Sequence, residues 1–143
     1  MKEIKYLYHG SRFLEEILKP NQATGIGSAK DSVCAIYASQ DRNFAIPFAL
    51  SIMADESNTC VWELSFEDEK PKIIIKTGKL NTSQVGYLYK VPIDAFEQID
   101  EYHWISYKPF KPIEYEIIDP KEYLHWIVQY EQRKTNKTIQ NDL

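Results

Sequence analysis

The stretch YLYHGS, residues 6 to 11, runs an alternating hydrophobic strand into a histidine, a glycine and a serine, so polar groups are delivered where a buried element ends. VCAIYAS, residues 33 to 39, does the same with Ser39. A few hydrogen-bonding groups set against apolar walls are the ordinary makeup of a small-molecule site. His9 also fits a plainer role, that of a histidine satisfied at a strand end. The remaining chemistry-bearing residues form no constellation. His103 and His125 have no partners at metal-ligand spacing, and His125 lies in YLHWIVQY, where helix packing accounts for it. There is no G-x-S-x-G, phosphate loop or C-x-x-C. Cys34 and Cys60 lie in apolar strand-like runs and read as reduced core thiols, and FEDEK reads as a turn. No metal is expected.

The elements that must position these groups follow from periodicity. Ile4, Tyr6 and Tyr8 take one face of a strand over residues 4 to 9, and Lys5, Leu7 and His9 the other, so His9 ends it. In SRFLEEILKP, Phe13, Leu14, Ile17 and Leu18 repeat at helical spacing, Ser11 caps the start and Pro20 stops the run. Residues 21 to 32, polar and glycine-bearing, read as a mobile surface loop close to His9. Asp41 caps a helix whose stripe is Phe44, Ala45, Phe48, Ala49, Ile52 and Met53, with Pro47 marking a kink or the true start. TCVWELSFE, KIIIK, VGYLYKV, EYHWISY and IEYEIID bring the total to about seven strands. Asp119 as cap, Pro120 at the first helical position and Glu122 three residues after the cap start a C-terminal helix running to about Arg133. Helices come early and strands crowd the second half, the order of an α+β domain with mixed or antiparallel sheets and flanking helices.

A chain of 143 residues suits one domain, placed at 1–134, with 135–143 a frayed tail that has little to bury. The hydrophobic share of 43% and net charge of −4 are those of a soluble globular protein. No signal-peptide stretch and no membrane-length apolar run occurs, which fits a cytoplasmic home without a membrane partner. The 17 basic residues are scattered among 21 acidic ones, which argues against a tight nucleic-acid partner. Ten tyrosines serve strands and stacking surfaces equally well.

LYHGS, then a helix, then a proline and a Gly-containing loop, then IYAS followed by a helix reading NFAIPFAL, resembles the ADP-ribosyltransferase superfamily over most of residues 4 to 119. DEYHWISYKPFKPIEYEII resembles that family's last element, where a glutamate opens a strand followed by a second one. The resemblance implies split, mostly antiparallel sheets and NAD as substrate. His9 would hydrogen-bond a hydroxyl of the nicotinamide ribose, and Gly10 would let its backbone approach the nicotinamide amide. Tyr37 would stack on the nicotinamide ring, with Ser11 and Ser39 beside the same cofactor site and Tyr87 or Tyr89 offering another face. Glu101, ionised, would be the catalytic carboxylate, joined by His9. ADP-ribose would pass to a protein, nucleic acid, small molecule or water.

Other readings stay open. Tyr37 also fits a core tyrosine with a bonded hydroxyl, and Glu101, beside Asp100 in a polar turn, a solvated strand-edge carboxylate. The region before Glu101 lacks the two-residue signature of arginine-modifying members, so the acceptor is undefined, and Gln98 lies three residues earlier. A domain of this fold that binds NAD or ADP-ribose without chemistry is one alternative. The RNA 2'-phosphotransferase branch is another, disfavoured by the acidic balance.

Overall fold

Wherever apolar and polar residues alternate, the chain is extended and paired. A computed structural model describes residues 5–22, 34–54, 56–68 and 70–129. Among them run strands β1 (Tyr6–Ser11), β2 (Asn21–Gln22), β3 (Cys34–Ala38), β4 (Ile52–Met53), β5 (Val61–Glu67), β6 (Lys70–Thr77), β7 (Lys79–Leu80), β8 (Gly86–Pro92), β9 (Glu97–Gln98), β10 (Trp104–Ser106), β11 (Glu114–Ile118) and β12 (Ile127–Gln129). The architecture is mixed, with mostly antiparallel sheets and few helical residues, so among the described residues the expected flanking helices are largely missing.

The first sheet has β8 at its centre, antiparallel to β1 and β11 on either side. Alternation sends Leu7, Tyr89 and Val91 to one face, where they form a core with Leu18, Ile36 and Ala38. Leu88 and Ile118 turn to the other face and join Ala45, Ile46, Ala49, Leu50, Ile73 and Ile75. Both faces are therefore covered over β8, whereas the edge strand β11 is exposed from Glu114 to Ile117. Each large apolar side chain withdrawn from water contributes about 1.5–3 kcal/mol before the cost of ordering the chain. The second sheet, in the order β2, β3, β10, β9, is antiparallel and meets the first where Tyr8 and Ser39 exchange backbone hydrogen bonds of 2.7 and 2.9 Å. β5 and β6 pair antiparallel, β12 adds parallel to β6, and β4 pairs with β7.

Asp41 caps its helix as expected, its carboxylate accepting the Phe44 N–H at 3.1 Å. The helix α1 (Arg42–Ala45) then passes into a 3-10 stretch, Ile46–Ala49, with Pro47 in its first turn. Pro47 has no N–H for an α-helical bond, and it marks the change of helix type. The stripe stops at Ala49, because Ile52 and Met53 form β4 against β7. This helical segment lies directly on the first sheet at two glycines. A Cβ on Gly10 would fall closer than 3.0 Å to the Ala45 carbonyl oxygen, and one on Gly86 likewise to that of Ala49.

Two expected helices are corrected. SRFLEEILKP is not helical, since Phe13, Leu14 and Ile17 are exposed and Leu18 alone of the four is buried. The Tyr89 hydroxyl explains this: it donates to the Phe13 carbonyl at 2.7 Å and accepts the Glu15 N–H at 2.8 Å, engaging backbone groups close to where the helix would begin. The C-terminal start signal operates, with Asp119 accepting the Lys121 N–H at 3.0 Å, yet it yields only the 3-10 stretch Pro120–Trp126. Ile127 and Val128 are better strand than helix formers, and they pair with Ile73 and Ile74 of β6 instead of carrying a helix to Arg133. His125 is exposed at the end of that stretch, not packed in a helix. Cys60 is exposed, which corrects its assignment to the core. Residues 23–32 of the expected loop and the 135–143 tail lie outside the described residues, while Asn21 and Gln22 form β2. No helix among the described residues is long and apolar enough to cross a membrane.

Candidate functional site

β1 continues through Gly10 to Ser11, so His9 stands inside a strand and does not end it. It lies opposite Tyr89 in the ladder, with the two rings 6.1 Å apart. Its Nδ1 is 2.6 Å from the carbonyl oxygen of Tyr37. A carbonyl only accepts, so this bond puts the proton on Nδ1 and leaves Nε2 as an acceptor nitrogen in the neutral ring. Burial among protein groups pushes the His9 pKa below its ordinary value, and the bond to the Tyr37 carbonyl opposes that only in part.

This depressed pKa has a consequence for stability. The unfolded chain protonates this imidazole near pH 6.5, whereas the folded chain does so only at lower pH. The His9 contribution is fully present above about pH 6.5 and is lost as the pH falls toward the native value, below which it changes no further. Urea midpoints of the wild type and of His9→Gln, taken at roughly pH 7.5, 6.0 and 5.0, should show a shallower acid-side loss in the variant. Equal slopes would mean that solvent protonates the folded ring freely.

Tyr37 is half-buried in β3, paired with Ile105. Ile36 and Ala38 belong to the core beneath the first sheet, so alternation assigns Tyr37 to the opposite face of β3. His9 and Tyr37 are brought together through the tyrosine's carbonyl. Ser39 is buried, its Oγ accepting the Asp41 N–H at 3.1 Å. Ser11 Oγ accepts the Phe13 N–H at 3.1 Å. Both serines thus hold backbone turns, and each retains a hydroxyl hydrogen to donate. The space that a Gly10 side chain would need is occupied by the backbone of Ala45 and Ala49, which gives this glycine a packing reason independent of any ligand. Tyr89 is fully buried and serves as the post for residues 13 to 15, while half-buried Tyr87 meets Tyr115 edge-on at 5.7 Å.

Glu101 lies in the exposed turn between β9 and β10. Its carbonyl accepts the Gln40 side-chain N–H at 2.6 Å, and Gln40 Oε1 accepts the Trp104 indole N–H at 2.7 Å. Asp100 Oδ1 accepts from the Tyr102 and His103 amides at 3.0 and 2.9 Å and from His103 Nδ1 at 2.8 Å. Slight burial raises the Asp100 pKa, but these hydrogen bonds together outweigh it and hold the carboxyl below its usual range. Tyr102 stacks on Phe44 of α1 at 5.2 Å and meets Phe66 edge-on at 4.9 Å.

His9, Tyr37 and Ser39 therefore gather where the first two sheets touch, and Ser11 lies two residues farther along β1. Glu101 is linked to this point by Gln40, the residue after Ser39, while its own carboxylate stands on the exposed turn. Sequence reasoning missed Gln40, which belongs to no quoted motif, and gave no role to Trp104, although it lies within the DEYHWISY stretch. Among the described residues no three His, Cys, Asp or Glu side chains gather to hold a metal ion. No family model matches the sequence, and no curated protein or solved structure matches it.

Proposed function

We propose that the chain is an NAD-dependent ADP-ribosyltransferase or NAD glycohydrolase on an ADP-ribosyltransferase-like pair of split sheets. Its reaction cleaves the bond between nicotinamide and ribose. The bonding electron pair leaves with nicotinamide, a new bond forms from the anomeric carbon to an acceptor atom, and the acceptor's proton is released. The acceptor is a protein, nucleic acid, small molecule or water. The observation that carries this reading is the 2.6 Å bond from His9 Nδ1 to the Tyr37 carbonyl, which joins the two strand motifs and orients a neutral imidazole with Nε2 ready to accept a hydroxyl. A ribose hydroxyl is such a donor. The side chain of Glu101 would face the positive charge that develops on the sugar as nicotinamide departs.

Calorimetry with NAD, followed by a nicotinamide-release assay, tests the reading. The wild type should bind NAD and release nicotinamide, and His9→Ala should weaken binding and turnover together. A hydrogen bond made in both ground and transition states contributes about 0.5–1.5 kcal/mol to each, roughly a two- to tenfold loss of affinity. Absence of NAD binding in the wild type sinks the proposal. The exposure of Glu101 favours one further reading, a module that binds NAD or ADP-ribose and performs no chemistry. Binding without nicotinamide release would select it.

A further inference from the structure

The carboxylate on which the proposed reaction depends sits in an exposed turn, and stabilising a transition state needs that turn in one arrangement before the charge appears. Two sets of hydrogen bonds hold it. Within the turn, Asp100 Oδ1 binds the amides of Tyr102 and His103, and the Ile99 N–H reaches the His103 carbonyl at 2.9 Å. From outside, Gln40 spans the gap between the Glu101 carbonyl and the Trp104 indole. The two partners fix which way its amide faces. A flipped amide would set donor against the indole donor and acceptor against the carbonyl acceptor, losing both bonds. Gln40 also follows Ser39, whose backbone is bonded to Tyr8 beside His9, so the clasp ties the Glu101 turn to the strands that carry the histidine and its carbonyl partner.

We propose that Gln40 is a positioning residue for Glu101, an inference that rests on the ADP-ribosyl-transfer reading. Gln40 acts through the backbone of the turn and need not touch substrate. The length of its side chain matters because both bonds are short. Its chemistry matters because a glutamate of the same shape keeps the acceptor for Trp104 and lacks the donor for Glu101.

The test uses the full chain, with nicotinamide release, NAD affinity by calorimetry and amide hydrogen exchange over residues 99 to 104. Gln40→Ala should lower kcat by about tenfold or more while the NAD dissociation constant stays within about twofold, because the loss falls on the transition state. Exchange at the Tyr102 and His103 amides should accelerate by about tenfold or more as the turn opens. Gln40→Glu should lose turnover to the same extent, even with the Trp104 indole N–H still protected. In a Glu101→Gln background, Gln40→Ala should cost almost nothing further, since two residues acting through one group are not additive. Unchanged exchange in Gln40→Ala overturns the clasp, and unchanged kcat or fully additive losses overturn its role in catalysis. If exchange responds but the wild type releases no nicotinamide, the ADP-ribosyl-transfer reading has failed and the catalytic role of Gln40 fails with it, which is distinct from failure of the clasp alone.

Discussion

Glu101→Gln is expected to remove most turnover of NAD while folding and NAD binding stay nearly intact. The residue stands on an exposed turn and its contact with Gln40 is made by the backbone carbonyl, so the substitution leaves that bond in place. The amide keeps the side chain's shape and loses its charge. Bound NAD carries no full positive charge on the nicotinamide ribose, whereas the oxocarbenium-like transition state does, so the missing carboxylate acts on kcat and hardly on affinity. Removing a preorganised electrostatic group of this kind costs roughly 3–5 kcal/mol, a fall of between about two and four orders of magnitude. Single-turnover nicotinamide release, with calorimetry beside it, reads both quantities. A variant as fast as the wild type would assign the work to another carboxylate.

The parts of this site that sequence could reveal are those written in local pattern. YLYHGS and IYAS declare themselves as strands carrying polar residues, and the Asp41 and Asp119 caps depend on neighbours two or three residues away. What remained hidden depends on distant partners. The Tyr89 hydroxyl that draws residues 13 to 15 out of a helix comes from 74 and 76 positions away, and no periodicity within SRFLEEILKP carries that information. The apolar spacing there is helical, yet the chain exposes Phe13, Leu14 and Ile17 and buries Leu18 in the core that also holds Ile36 and Tyr89. The end of the chain fails for the same reason. Ile127 and Val128 fit a helix stripe until the isoleucines of β6 offer a parallel strand. Gln40, proposed above to position Glu101, was hidden in the same way, since its partners Glu101 and Trp104 lie 61 and 64 residues on.

His9 shows how a motif and its environment divide the work. The sequence supplies a histidine beside a glycine, and the fold then fixes its tautomer with a carbonyl from another strand and lowers its basicity by burial. At neutral pH the ring is therefore an uncharged hydrogen-bonding group, and in the reaction proposed above it would bind a hydroxyl and not transfer a proton. That suits a reaction whose main demand is charge stabilisation at an anomeric carbon.

The second large effect concerns stability and separates two reasons for a glycine. Gly10→Ala and Gly86→Ala are both expected to destabilise the fold, by about 1–3 kcal/mol or more, because the added methyl meets helix backbone and not a side chain that can swing aside. Gly86 should be the worse site, its would-be Cβ crowding the oxygen, the carbonyl carbon and the Cβ of Ala49, whereas the Gly10 position is crowded mainly by the Ala45 oxygen. Relief requires the segment from Ala45 to Ala49 to lift from the first sheet, and that segment carries Ala45, Ile46 and Ala49 of the larger core. Urea unfolding of both variants, with Ser11→Ala as a control in the same strand, measures the cost as a fall in midpoint at constant slope. The NAD affinity of Gly10→Ala, taken well below its unfolding midpoint, then isolates any part this backbone plays toward a ligand. A stable Gly10→Ala that has lost NAD would move the glycine's purpose from packing to binding. A stable Gly86→Ala would argue against the close helix–sheet contact at that position, since the proposed reaction assigns Gly86 no ligand.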